Sequence, residues 1–207
     1  MRIASLFALA GLIFLQACTG GRLQSGDLIF IALPSDYSLD ADAPEPVSET
    51  LNIIHVAIAD VGRDGVSVID ATLAHGVERH PLDTLLSDFT LKDGKLPPMM
   101  VYRLKDNREA RRFVSNARAF TGLPYDIDFK PGNDARYCTE LVQDSYITAS
   151  GDSLFKTVPL DFSLPGGEIP QYWSQLFAII GRPIPEGPGY SPQTMMDSPL
   201  LKFVKNL

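Results

Sequence analysis

Asn52-Ile53-Ile54-His55-Val56-Ala57-Ile58-Ala59 is the stretch on which the fold turns. It is apolar, rich in β-branched residues and free of Gly and Pro, so it reads as a buried strand. Strict alternation puts Ile54, Val56 and Ile58 on one face and His55 with Ile53, Ala57 and Ala59 on the other. The small neighbours leave room round the imidazole. Val61-Gly62-Arg63-Asp64, with Gly65 behind it, is a turn, and Val66-Ser67-Val68-Ile69-Asp70-Ala71 is the returning strand. A four-residue loop over 61–64 pairs Asp60 with Gly65 and sets Asp70 directly opposite His55, about 4.5–5.5 Å away at Cβ. A two-residue loop at Arg63-Asp64 sets Thr72 there instead. The first register is the expected one, because it gives a buried carboxylate a partner and the imidazole a fixed tautomer.

Working outward, Asp27-Leu28-Ile29-Phe30-Ile31-Ala32-Leu33 is a second buried strand, entered from Gly26 and stopped by Pro34. Residues 34–51 hold three prolines and five acids without periodicity and read as a long loop. Residues 72–98 are mixed. His75 and His80 lie in polar surroundings and read as surface residues, and with His55 they make no metal-ligand spacing, so no metal site is expected. Met99 to Leu104 is a further strand. A helix follows, with Asp106 as N-cap, Glu109 completing a capping box, and Ala110, Phe113, Val114, Ala117 and Phe120 on one apolar face. Its arginines read as a solvated face, and Gly122 and Pro124 end it. Pro170 to Gly181 brackets another helix, in which Tyr172 and Trp173 are core or, alternatively, pocket wall. The proline-rich tail from Arg182 is expected to wrap the core.

Chemistry enters with Arg136-Tyr137-Cys138-Thr139-Glu140-Leu141-Val142, reached through a Pro131-Gly132-Asn133-Asp134 turn. Leu141, Val142, Ser145 and Ala149 form a helical stripe with Cys138 in its first turn. A helix start leaves N–H groups unpaired and carries partial positive charge, which favours a thiolate. The plain alternative is a small buried hydrophobe. The N-terminus bears on this choice. Arg2 precedes an apolar run from Ile3 to Leu15, a signal-peptide pattern, and Leu15-Gln16-Ala17-Cys18 resembles a bacterial lipobox in which Cys18 becomes the lipidated first residue. Thr19, rather than Asp, favours the outer membrane. Lipidation uses up Cys18, so Cys138 is left as the one free thiol in an oxidising compartment.

The expected organisation is therefore a signal peptide over 1–17, a lipidated tether over 18–25 and one domain over 26–207. The formal net charge is −7, and loss of Arg2 with the signal makes it −7 − 1 = −8. No basic run exists, which argues against nucleic acid and against charge-driven membrane binding. The acyl anchor would hold the protein, expected to be a monomer without cofactor, at the bacterial envelope facing the periplasm.

A thiol needs a base, and the base needs an orienting group. Cys138, His55 and Asp70 supply the three parts, as nucleophile, acid–base and tautomer holder. Backbone N–H groups at the helix start, with the Tyr137 hydroxyl, would bind an oxyanion. Glu140 suits the helix dipole and reads as structural.

Six pieces carry a family resemblance: Gly26-Asp27-Leu28-Ile29-Phe30, Ile54-His55-Val56-Ala57-Ile58, Val68-Ile69-Asp70-Ala71, Val101-Tyr102-Arg103-Leu104, Gly122-Leu123-Pro124-Tyr125-Asp126 and Tyr137-Cys138-Thr139-Glu140-Leu141-Val142. In this order, with the His strand before the Cys helix, they resemble the circularly permuted papain-like cysteine hydrolases of the NlpC superfamily, the YaeF/YiiX-like group, with lecithin retinol acyltransferase more distant. The resemblance implies an α+β permuted papain-like fold, a small antiparallel sheet or partial barrel packed against helices. It implies cleavage or transfer of an acyl group at an amide or ester, on cell-wall peptides or lipids, through a Cys138 thioester with His55 as base. Asp70 stands where the family often has Glu. A non-catalytic module binding envelope peptide or lipid on the same fold is the alternative.

Overall fold

The structure is a computed structural model and describes residues 21–207. The expected signal peptide and Cys18 lie outside the described residues. The strands are β1 (Leu28–Pro34), β2 (Leu51–Gly62), β3 (Gly65–Thr72), β4 (Gly76–Pro81), β5 (Met99–Leu104), β6 (Val158–Pro159), β7 (Pro188–Gly189) and β8 (Leu201–Asn206). The helices are α1 (Leu82–Asp88), α2 (Ala110–Ala119), α3 (Cys138–Ser145), α4 (Gln171–Ile179) and α5 (Pro192–Met196). Six strands form one sheet in the order β4-β3-β2-β1-β5-β8, antiparallel throughout, and β6 pairs with β7. This is the α+β, permuted papain-like architecture that the resemblance implies.

β1 and the middle of β2 are buried on both faces, which is why they read as continuous apolar runs. One face, through Leu28, Phe30, Val56, Ile58 and Ile69, packs on α2 and α3; the other, through Ile29, Ile31, Ala57 and Val68, packs on α1 and α4. Alternation fails at one point. β1 pairs Ile31 with His55 and Ala32 with Ile53, so Ile54 is the extra residue of a β-bulge. The bulge exchanges two neighbours: Ile53 joins Val56 and Ile58, and Ile54 joins Ala57 and Ala59, the reverse of the alternating expectation. Bulges re-aim side chains, and this one adjoins His55.

The hairpin register also differs from the expected one. Gly62 pairs with Gly65, Asp60 with Ser67 and Ile58 with Ile69, so the loop is the two residues Arg63-Asp64. Arg63 and Asp64 keep negative φ, and the turn is completed by Gly65, whose φ of 129° is a conformation closed to ordinary side chains.

Four strands were not expected: the short β6 and β7, and two strands of the main sheet. β4 lies in the mixed segment after β3, and β8 lies in the tail, paired with β5 at the sheet's far edge. The tail thus completes the sheet as well as covering it. The start of β4 is docked on the segment after α2, with Val77 N–H donating to Leu123 O at 2.8 Å and Gly122 N–H to Val77 O at 2.8 Å. Gly76 makes this approach possible: at φ +69°, a Cβ there would stand 2.3 Å from the Leu123 carbonyl oxygen. The capping box at α2 is not formed. Asp106 binds the Arg108 side chain, and Glu109 is itself the N-cap position, its carboxylate accepting from Ala149 N–H at 2.7 Å.

Candidate active site

Cys138 opens α3 as its first residue, after the extended Tyr137 N-cap. The helix is held from several sides. Thr139 Oγ1 donates to Tyr190 O at 2.7 Å, Asn116 Nδ2 to Ser145 O at 2.8 Å, and Tyr146, stacked on Phe113, donates its hydroxyl to Gly26 O at 2.9 Å. α3 packs against both β2 and β3. Those strands stay paired only up to Ile58 and Ile69, and His55 and Asp70 lie just beyond.

Extended, the observed register would set Ala57, not His55, opposite Asp70. The two side chains meet obliquely instead, and His55 Nε2 lies 2.8 Å from Asp70 Oδ2. A diagonal pair on one face is within reach of long side chains, so the contact foreseen from the other register is made by a different route. With Nε2 engaged, Nδ1 is the nitrogen left for the thiol. Burial pushes the imidazole toward neutrality, but the hydrogen bond to Asp70 and the nearby Cys138 outweigh it and raise its pKa to about 10. Phe89 lies over the ring at 4.9 Å between centroids.

A second histidine completes the cluster. His80 is 9 % exposed, not a surface residue, and its Nε2 lies 2.8 Å from Asp70 Oδ1. Burial opposes the charge of Asp70, yet the two imidazoles hold its carboxyl down at about 2. The signal for His80 lay in register: β4 pairs Glu78 with Asp70 and His80 with Val68, which puts His80 on the Asp70 face.

Tyr137 does not face the cleft. Its ring packs on Phe129 at 4.5 Å, and its hydroxyl lies against the backbone at Gly189 and Tyr190. The reason is that the N-cap residue's extended backbone turns its side chain into the core while α3 begins. The Tyr125 and Tyr172 hydroxyls stand nearer the cleft; burial first, and then Cys138, raises the pKa of each, and Cys138 acts in the same sense on Tyr137. Tyr125 and Tyr172, with Trp173, line a cleft of about 380 Å³ at His55, so α4 supplies pocket wall as well as core. Tyr125 is placed there by the docking of residues 122–123 on β4.

Glu140 is buried, and among the described residues neither of its oxygens has a hydrogen-bond partner in bonding geometry. Burial raises its carboxyl to about 8; Arg136 opposes this, and Asp126 and Asp144 add to it. The folded pKa stands above the unfolded value of about 4.3. Its contribution to stability is therefore full below that value and lost as pH rises through about 8. Glu140→Gln should leave thermal stability unchanged near about pH 4 and raise the Tm by roughly 3–6 °C above pH 8, after allowance for partial solvent screening. A Tm offset independent of pH would rule this account out.

Fold and site together define the papain-like thiol hydrolase class. The family model of permuted papain-like amidases, YaeF/YiiX, C92, matches residues 22–205, and the chain belongs to that family. It is 32% identical over 98 residues to the protein YiiX of Escherichia coli strain K12, covering 46% of this chain and 47% of that one. That alignment thus spans about half the length of the curated relative. In fold it is similar to the crystal structure described as metalloprotein YiiX from Escherichia coli O157:H7, with a TM-score of 0.60 and 23% identity over 89% of this chain and 97% of that one.

Proposed function

We propose that the protein is a thiol hydrolase in which Cys138 attacks an amide or ester carbonyl. The observation that carries this reading is one buried imidazole bonded to Asp70 at 2.8 Å, with Cys138 at the start of a helix near enough to raise its pKa. Asp70 fixes the ring and favours its cationic form, so an imidazolium faces the thiolate. The thiolate adds to the carbonyl carbon. The developing oxyanion meets the backbone N–H groups at the start of α3 and the hydroxyls of Tyr125 and Tyr172. His55 then gives its proton to the leaving amine or alcohol, and a thioester forms on Cys138. Water, deprotonated by the now neutral His55, hydrolyses it; an incoming alcohol or amine in the same place would make the reaction a transfer.

For substrate we propose an envelope acyl compound, with the enzyme held at the outer membrane by a lipid on Cys18. Cell-wall peptides fit the periplasmic setting that the N-terminal sequence supports. A lipid acyl group is the second reading, favoured by the cleft, where Leu73, Phe89, Tyr172 and Trp173 form apolar walls and neither Lys nor Arg is present. The structural relative is described as a metalloprotein, but the donors here do not fit a resident ion. Among the described residues no three His, Cys, Asp or Glu side chains form a metal-holding group, and both Asp70 oxygens are taken by imidazoles.

The test is to incubate the protein with peptidoglycan fragments and, separately, with phospholipid, and to search for an acyl adduct on Cys138 by mass spectrometry. An adduct from one source identifies the substrate class. No adduct from either, together with slow alkylation of Cys138 by iodoacetamide below about pH 8, would favour the non-catalytic binding module.

A further inference from the structure

His80 has no part in the chemistry above, yet it is built into the site more tightly than a core histidine needs to be. Its Nε2 lies 2.8 Å from Asp70 Oδ1, and its Nδ1 lies 3.2 Å from the carbonyl oxygen of Pro81. Both partners are oxygens, and the carbonyl has no proton to give. A neutral imidazole carries one N–H and one bare lone pair. It would set a lone pair against either a carboxylate or a carbonyl. Only the imidazolium satisfies both contacts, unless Asp70 takes the proton, and Asp70 is already the acceptor for His55 at 2.8 Å.

We propose that His80 is a positioning residue, an imidazolium that clamps Oδ1 of Asp70 so that Oδ2 points at His55 and that tempers the pull of the carboxylate on the His55 ring. The site is then a four-part chain: His80 cation, Asp70 anion, His55 cation, Cys138. The inference rests on the reading of His55 as the acid–base partner of Cys138. Its physical content is that a lone carboxylate would hold the His55 proton too firmly for ready transfer, and a second cation on the other oxygen lessens that hold.

The surroundings of His80 agree with a fixed positive charge. Asp70 comes from β3 and Glu78 from its own strand, both acidic. α1, which packs against β4, carries Asp83 and Asp88 and no basic residue. Arg79, the neighbouring base, turns to the other face and binds Asp60 at 2.6 Å. The remaining cation is His55 across the carboxylate. The Asp70 hydrogen bond raises the His80 pKa, against burial.

The test uses the whole protein and needs no substrate. Long-range nitrogen–proton NMR of the histidine rings should show both His80 nitrogens protonated at about pH 7.5, where a free imidazole is mostly neutral. In His80→Gln, whose amide can still donate to Oδ1 without a charge, the His55 ring should give up its proton at a pH higher by about half a unit to one unit. In His80→Phe, which removes the donor as well, the His55 signals should also broaden as Asp70 loses its fixed orientation. A neutral His80 ring in the wild type, or a His55 titration unmoved in His80→Gln, overturns the proposal. A purely structural His80 would lower the Tm of both variants and move no titration. Failure to find a Cys138 adduct would count against the hydrolase reading, and these ring signals would be judged separately from it.

Discussion

Cys138→Ala is expected to abolish turnover, by a factor of about 10⁴ or more, and to leave the fold in place. The factor corresponds to more than about 5 kcal/mol of transition-state stabilisation. No neighbouring group can replace the thiol: Thr139 is committed to the Tyr190 carbonyl, and the Tyr125 and Tyr172 hydroxyls are held protonated. Cys138→Ser should be nearly as inactive, for a reason specific to this site. Even without the contribution of Cys138, the Asp70 hydrogen bond still favours His55 as a cation, which can pair with a thiolate but cannot remove a proton from a hydroxyl. Loss of the sulfur leaves a small cavity in the core against α3, costing about 1 kcal/mol. Turnover and thermal unfolding measured on the same sample check both halves. Residual turnover within about tenfold of wild type would refute the nucleophile assignment.

The elements legible in the sequence were those buried on one or both faces. β1, β2, β3 and β5 announce themselves as apolar or β-branched runs, and α2, α3 and α4 as helical stripes, because burial there leaves little choice of residue. β4 and β8 did not, because they are the two edges of the sheet. An edge strand has a single partner and admits charge and proline; β4 reads Gly-Val-Glu-Arg-His-Pro and β8 Leu-Lys-Phe-Val-Lys-Asn. Missing β4 meant missing His80, whose place depends on β4 being a strand at all. The bulge was invisible for a different reason: Ile53 and Ile54 are identical, so exchanging their faces leaves no mark on the pattern. The partnership of His55 with Asp70 was legible although its register was not. Both residues lie on one face in either chain pairing that keeps the parity, and a buried carboxylate needs a donor wherever it finds one. Tyr137 was misplaced because adjacency to Cys138 in sequence says nothing of direction at an N-cap.

Asp70→Asn should cost both activity and stability, and the two losses should have different pH signatures. The amide can still be accommodated. Its oxygen accepts from His55 Nε2, and its N–H donates to His80 if that ring gives up the Nε2 proton and keeps Nδ1–H for the Pro81 carbonyl. What disappears is the negative charge. Burial then acts on His55 with less opposition, the imidazolium is lost at neutral pH, and turnover should fall by about 10³–10⁴. For stability, the folded pKa of Asp70, about 2, lies below its unfolded value. Its contribution is therefore present above about pH 4 and lost as pH falls through about 2, and it is on the order of 2 kcal/mol. The His55 contribution has the opposite sense: it is present below about pH 6.5 and lost as pH rises through the folded value. The window in which both act is about pH 4 to 6.5, and the variant should be weakest relative to wild type there, by roughly 2–4 kcal/mol in urea unfolding. The gap should narrow as pH falls through about 2 and close below it, where the wild-type carboxylate is itself protonated. A gap of constant size from pH 2 to pH 9 would mean that Asp70 serves packing alone and that the charge chain from His80 to Cys138 does not exist.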